Sequence, residues 1–323
     1  MYEIIQFKLI ETLLILVICC SVVAGWAGNM TNKSIQRDIG FFDEINMNLN
    51  ILNSDTGEIS KLVHVEDETS GLCLKTVWSP DGSKFAFTGI VNGVLGTYVA
   101  DADGHNLDLI LSQSGEEAEG VEQWHPELGL IFVMKSFDGN AEIYSVIDRT
   151  NMTNLTNLPS WEFFPSLFPD GRIAFVSNMD EPENAEPTFE NVYVLDHKTL
   201  KYEFLLSMTG MTVKSMSKTG IFPDISPDGK RMSFTLDGDI YVINTDGTNM
   251  TNITNTPELT EMTSSFSPDG SHILYSGEMA PLADDIPNFN LFKINLETLE
   301  KTQLTFGNDN MFTHPVYRPV KWD

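Results

Sequence analysis

The residues of this chain most able to hold a metal or move protons are its six histidines, His64, His105, His125, His197, His272 and His314. They fall singly on turns and loops, without the short spacings that bring imidazoles to one ion. His125 stands where comparable segments carry a serine, and His314 precedes a proline at a strand entry, so each is expected to be structural. No G-x-S-x-G element is present to expose a nucleophilic serine, and no catalytic residue is assigned. DADGHNLD, from Asp101 to Asp108, has the acid spacing of a calcium loop, but its twelfth position is Ser112 instead of the required Glu. The same place elsewhere reads NTDGTNMTN, an ordinary turn. No cofactor is therefore expected, calcium at that turn being the one ion considered. Cys73 is the only cysteine outside an N-terminal apolar run and reads as a buried, inert thiol.

Acidic residues dominate the charge. Forty-six Asp and Glu against 19 Lys and Arg give a net of -27, a potential that repels phosphate backbones and makes nucleic acid an improbable partner. Residues 12–28, TLLILVICCSVVAGWAG, match a signal-peptide core or a short membrane anchor, with Ala24 the best cleavage position. Either reading places the rest of the chain outside the cytoplasm, periplasmic, on the cell surface or secreted, and tethered or released through that segment. Six N-x-S/T sequons occur, at Asn29, Asn32, Asn151, Asn154, Asn249 and Asn252; the last four lie in the repeated strands NMTNLT and NMTNIT.

The element that must position any site is a repeat. WSPDGSKFAFTG from Trp78, LFPDGRIAFVSN from Leu167, ISPDGKRMSFTLDG from Ile225 and FSPDGSHILYSGE from Phe266 share one pattern, with degenerate copies from Trp124 and Tyr317. Their prolines, Pro80, Pro126, Pro169, Pro227, Pro268 and Pro319, are 46, 43, 58, 41 and 51 residues apart, the period of a propeller blade. In each copy an apolar residue ends a first strand and Pro-Asp-Gly turns the chain, proline presetting φ and glycine supplying the positive φ. An alternating second strand follows (Phe85 and Phe87; Ile173 and Phe175), then a third such as DIYVIN and a fourth such as TNMTNIT. Residues 49–63 match third and fourth strands with no Pro-Asp-Gly turn before them, while THPVYRPVKWD supplies a first strand with nothing after it. The two fragments complete one another, with residues 38–42 available as the missing second strand. The expectation is an all-β, six-bladed β-propeller of four-stranded antiparallel blades, closed by pairing N-terminal strands with the C-terminal strand. Residues 1–37 would form the export segment and linker, and residues 38–323 the propeller.

The copies resemble the TolB-like, or PD40, propeller repeat. That resemblance implies a WD40-like repeat domain that binds proteins. TolB itself has an additional N-terminal α/β domain, for which residues 1–37 leave no room. A related architecture belongs to oligogalacturonate lyases, which hold a metal in the central channel, so a metal-dependent carbohydrate lyase or hydrolase is the alternative function. The leading expectation is an extracytoplasmic, non-catalytic module that binds a protein, with a glycan as second ligand class. Its binding face is expected where the long loops gather: Glu66, Asp67, Glu116, Glu117, Glu119, Asp180, Glu181, Glu183, Asp284 and Asp285 crowd there and would steer a basic partner.

Overall fold

A computed structural model describes residues 38–66, 76–112, 120–135, 140–181, 191–207, 222–256, 260–278, 288–307 and 311–319. Twenty-four strands lie among them, in six sheets of four, and no helix there is long and apolar enough to cross a membrane. Blade 1 joins β1 (Asp38–Asp43), β2 (Asn48–Asn53) and β3 (Ile59–His64) to the last strand, β24 (Phe312–Tyr317), in the order β24-β1-β2-β3. Blade 2 is β4 (Val77–Trp78), β5 (Lys84–Val91), β6 (Val94–Asp101) and β7 (Asp108–Ser112); blade 3 is β8 (Val121–His125), β9 (Gly129–Lys135), β10 (Ala141–Asp148) and β11 (Asn151–Asn154). Blade 4 comprises β12 (Glu162–Leu167), β13 (Ile173–Ser177), β14 (Asn191–Asp196) and β15 (Lys201–Ser207). Blade 5 comprises β16 (Asp224–Ile225), β17 (Arg231–Leu236), β18 (Asp239–Asn244) and β19 (Thr251–Asn252). Blade 6 comprises β20 (Glu261–Phe266), β21 (His272–Glu278), β22 (Phe289–Asn295) and β23 (Lys301–Gln303).

Alternation along the second and third strands builds the core. Aromatic residues meet across them at one register position in blade after blade: Phe87 with Tyr98, Phe175 with Tyr193, Phe234 with Tyr241 and Tyr275 with Phe292, centroids 5.4–5.9 Å apart. Such rings add roughly 0.5–1.5 kcal/mol per pair beyond the area they bury. The apolar clusters then bridge blades: Val176, Val192 and Leu206 of blade 4 pack on Met232, Phe234 and Ile243 of blade 5, and five further clusters do the same around the ring.

The split blade closes as the two sequence fragments require. β1 pairs antiparallel with both β2 and β24, Ile39 facing Tyr317 and Asp43 facing Phe312. Arg318 then staples blade 1 to blade 2. Its backbone N–H donates to the Asp38 carbonyl (2.8 Å), its Nη1 pairs with Asp38 Oδ2 (3.2 Å), its Nε donates to the Gly82 carbonyl (2.6 Å), and its guanidinium lies 5.5 Å from the Trp78 ring. Gly82 has φ +66°, and a Cβ there would sit 2.2 Å from the Pro319 carbonyl oxygen, so this turn must be glycine.

Candidate channel site

The six innermost strands, β4, β8, β12, β16, β20 and β24, surround a central cavity of about 380 Å³. Blades 1 to 4 contribute the repeated apolar residue and the turn proline, and blades 5 and 6 contribute the residues just before theirs, Phe222–Asp224 and Thr263–Ser265. Pro80, Pro126, Pro169 and Pro319 line the cavity at its turn end, with Trp78, Trp124, Phe168 and Tyr317 beneath them. Among the described residues two carboxylates line it, Glu122 and Asp224, and Asp224 Oδ2 accepts the Phe266 N–H at 2.7 Å.

Deeper in, the strands are bulged. Register shifts interrupt β8 after Val121, β12 after Phe163, β20 after Met262 and β24 after Thr313. Phe164, Phe222, Thr263 and His314, each three residues before its blade's repeated apolar residue, take φ of +53°, +35°, +42° and +52°. Left-handed backbone at non-glycine residues costs of order 1–3 kcal/mol each, and bulges of this kind re-aim side chains. Here they gather rings across the channel: Phe164 lies 5.0 Å from Phe222, and Phe222 lies 6.0 Å from His314, whose N–H donates to Thr263 Oγ1 at 3.2 Å. The result is a funnel with a proline rim, aromatic walls and an aromatic arc at its deep end.

Two clusters of titratable groups flank the channel between blades 3 and 4. On the turn side, His125 is 1% exposed; its Nδ1 accepts the N–H groups of Glu127 (3.0 Å) and Leu128 (3.1 Å), so Nε2 carries the proton and donates to the Gly171 carbonyl (2.8 Å). The His197 ring packs edge-on against it at 4.5 Å and reaches Glu127 Oε2 at 3.1 Å. Burial holds His125 below the usual histidine range, ahead of a partly offsetting hydrogen bond to Gly171. On the loop side, Glu162 is fully buried, accepts Ser160 Oγ (2.6 Å) and Ser177 Oγ (3.0 Å), and faces Glu142; burial pushes its carboxyl up to about 7. Glu261 repeats the arrangement against Asp239 between blades 5 and 6, also at about 7 through burial.

Of the acids assigned to the binding face by sequence, Glu66, Asp180 and Glu181 are described, and none lines the channel. Glu66 Oε2 accepts the Gly93 N–H at 2.9 Å, and Asp180 accepts the Tyr193 hydroxyl at 2.5 Å, so two of them tie their own loops to the blades. Asp67, Glu116, Glu117, Glu119, Glu183, Asp284 and Asp285 lie outside the described residues, as does Cys73. At the DADGHNLD turn, Asp101 pairs with Lys84 at 2.6 Å and accepts Asn106 Nδ2 at 2.6 Å, which uses its carboxylate within the turn. Among the sequons, Asn154 and Asn252 are built into the fold: each Oδ1 accepts two backbone N–H groups of the next turn, and Asn252 Nδ2 donates to Asp239 at 2.8 Å.

Six four-stranded blades closed by a shared first blade define a TolB-like six-bladed β-propeller. TolB from Acinetobacter baumannii superposes with a TM-score of 0.62 at 18% identity, over 87% of this chain and 66% of that one. A putative TolB from Agrobacterium tumefaciens gives 0.56 at 17% identity over 88% and 99%. A chain of the nidogen/laminin complex gives 0.62 at 9% identity over 88% and 99%. At these identities the likeness is one of fold. No protein-family model matches the chain. An uncharacterized protein of Agrobacterium fabrum is 26% identical over 160 residues, 49% of this chain and 52% of that relative, so the match spans about half its length.

Proposed function

We propose that the chain is a non-catalytic binding module outside the cytoplasm, which receives an extended protein segment end-on in the channel funnel. The observation that carries this reading is the set of left-handed residues on or beside the inner strands, Phe164, Phe222, Thr263 and His314, held in costly backbone conformations to line one recess. A wall of tryptophan, phenylalanine and proline with two carboxylates suits apolar side chains and a threaded backbone. Its polar lining, Thr76, Gln123, Thr263, Ser264 and Ser265, can hydrogen-bond the backbone of such a segment. The acidic loops, Glu66, Asp180 and Glu181 among them, add long-range attraction for a basic partner without touching the segment in the funnel. Export through residues 12–28, which lie outside the described residues, completes the proposal.

The test is peptide display against the wild-type chain, followed by titration against Gln123→Trp, which fills the funnel from β8. Enriched peptides that bind wild type and lose at least about tenfold in affinity for the variant support the proposal. Peptides that bind both proteins equally move the site away from the channel.

A further inference from the structure

We propose that His125 is an acid-operated latch on the rim of the funnel: a proton taken up at its Nδ1 frees the blade 3 turn from its cap and from blade 4, and the rim there loses the shape that admits a ligand.

The inference rests on the funnel being the binding site. Its rim is built from the turns that follow the inner strands. In blades 2, 5 and 6 a serine hydroxyl donates to the turn aspartate at 2.6–2.7 Å, Ser79 to Asp81, Ser226 to Asp228 and Ser267 to Asp269. Hydrogen bonds, led by the Ser83 N–H, keep Asp81 at about 2, and the Ser226 hydroxyl leads in holding Asp228 below the usual carboxylate range. These caps therefore survive moderate acid. Blades 3 and 4 lack that serine; His125 and Phe168 stand in its place, and one imidazole serves both turns. Its Nδ1 accepts the Glu127 and Leu128 N–H groups of its own turn, and its Nε2–H donates to the Gly171 carbonyl of blade 4 at 2.8 Å. Pro126, next to His125, and Gly171 itself both line the funnel.

A second proton on this ring has one place to go, Nδ1, and there it would point at two N–H donors. Both turn bonds would be lost at once. The neighbouring ring gives no relief: His197 lies 4.5 Å away, its Nε2–H donates to Glu127 at 3.1 Å, and its buried Nδ1 has no hydrogen-bond partner among the described residues. The charged groups around the two rings are Glu127 on the blade 3 turn, Asp196 and Lys198 beside His197, and Asp170 and Arg172 beside Gly171. Lys198 pairs with Glu127 at 3.6 Å, Arg172 pairs with Asp170 at 2.9 Å, and Asp196 accepts the Lys198 N–H at 2.8 Å, so their negative charge is already engaged. Burial, ahead of the opposing Gly171 bond, holds His125 below the usual histidine range of 6.5. The latch is thus shut at neutral pH and opens as pH falls below 6.5.

The experiment is fluorine NMR on the full chain carrying 5-fluorotryptophan, in a non-ionic detergent for its apolar residues 12–28, from pH 8 to 4.5. Trp124, one residue before His125, reports the blade 3 rim, and Trp78, one residue before Ser79, reports a serine-capped rim; Trp124→Phe and Trp78→Phe assign the two signals. The Trp124 signal is expected to shift or broaden below pH 6.5 while the Trp78 signal holds. His125→Asn, whose side-chain oxygen can accept a turn N–H without titrating, should abolish the change. Should that variant fail to fold, the wild-type contrast between Trp124 and Trp78 decides by itself. Binding is the second readout. A peptide selected by display at pH 8 and blocked by Gln123→Trp should lose about tenfold in affinity for wild type at pH 4.5, and less than about threefold for His125→Asn. Glu162 and Glu261 titrate in both proteins, so only the difference between the two counts. A Trp124 signal unmoved by pH, a Trp78 signal that moves with it, a change that persists in His125→Asn, or equal losses of affinity in the two proteins overturns the latch. A peptide indifferent to Gln123→Trp counts against the funnel as the binding site and leaves the fluorine signals to decide the latch.

Discussion

The turns after β4, β16 and β20 and the turn after β8 occupy equivalent places in their blades and are held by different means. In the first three, a serine hydroxyl donates to the turn aspartate and accepts the N–H five residues on: Ser79 with Asp81 and Lys84, Ser226 with Asp228 and Arg231, Ser267 with Asp269 and His272, all at 2.6–2.9 Å. Each such turn is capped from within by its serine, ties to the neighbouring blade coming from separate side chains such as Arg318 on Gly82 and Arg231 on Gly270, and Asp81, accepting from Ser79 and Ser83, is held at about 2. After β8, His125 replaces the serine and does two things at once: it caps its own turn through Nδ1 and donates through Nε2 to Gly171 of blade 4. One titratable side chain here supplies both the local cap and the tie between blades.

The glycines of the two kinds of turn give the largest expected effect. Gly82→Ala and Gly129→Ala would drive a Cβ to 2.2 Å from the Pro319 carbonyl oxygen and 2.4 Å from the Val146 carbonyl oxygen, at φ of +66° and +75°. Each should cost about 3 kcal/mol or more in denaturant unfolding. A loss below about 1 kcal/mol for either would show that the turns yield more than their geometry implies. His125→Ala comes next, about 2–3 kcal/mol, since it strands two turn N–H groups and the Gly171 carbonyl in a buried place.

The other end of the blade 3–blade 4 interface titrates in the opposite sense. Unfolded, Glu162 loses its proton near 4.5, whereas folded it keeps it to about 7, so its contribution is full below pH 4.5 and is lost as pH rises toward 7. Glu162→Gln should therefore be more stable than wild type at pH 8, by about 1–3 kcal/mol, with the advantage shrinking toward pH 4.5. For His125 the unfolded imidazole takes up a proton near 6.5 while the folded one resists it, so stability falls as pH drops through 6.5. His125→Ser, which removes the titrating ring and leaves a hydroxyl to accept a turn N–H, should flatten that acid limb in melting curves between pH 8 and 5. An unchanged limb would assign it to another group. Ser226→Ala should have the smallest effect, about 1 kcal/mol, because although Ser226 is buried its cap is local and its acceptor, Asp228, is exposed and can be rehydrated.

The sequence made the ring legible because Pro-Asp-Gly spacing and the mismatched ends are one-dimensional features. β1 at Asp38–Asp43 and its pairing with β24 follow from them. The channel was harder to read. Positive φ at Phe164, Phe222, Thr263 and His314 leaves no glycine as a signal, although three of the four precede a proline, Pro165, Pro223 and Pro315. His125 caps its own turn, but its contact with His197 joins residues 72 positions apart on adjacent blades, which single-strand patterns do not encode. Glu162 and Glu261 did leave a trace, an acid five residues before Leu167 and Phe266, lost among 46 acids. Charge counts also do not show which acids of the loop face are used within the fold, as Glu66 and Asp180 are in holding their own loops in place.

The Arg318 staple sets an order of events. Arg318 and Asp38 are 280 residues apart, so the first strand of the ring must wait for almost the whole domain to be synthesised before its edge is covered. At roughly 5–20 residues per second the wait is tens of seconds. Through it, β1, with Phe41 and Phe42 in DIGFFD, is an open template for any passing strand. Closing a loop of that length is also slow, because its entropy is lost before β24 returns any contact. A chain carried across a membrane unfolded and released whole would meet its own C-terminal strand at once, and so avoid the interval in which it is most exposed to misassembly.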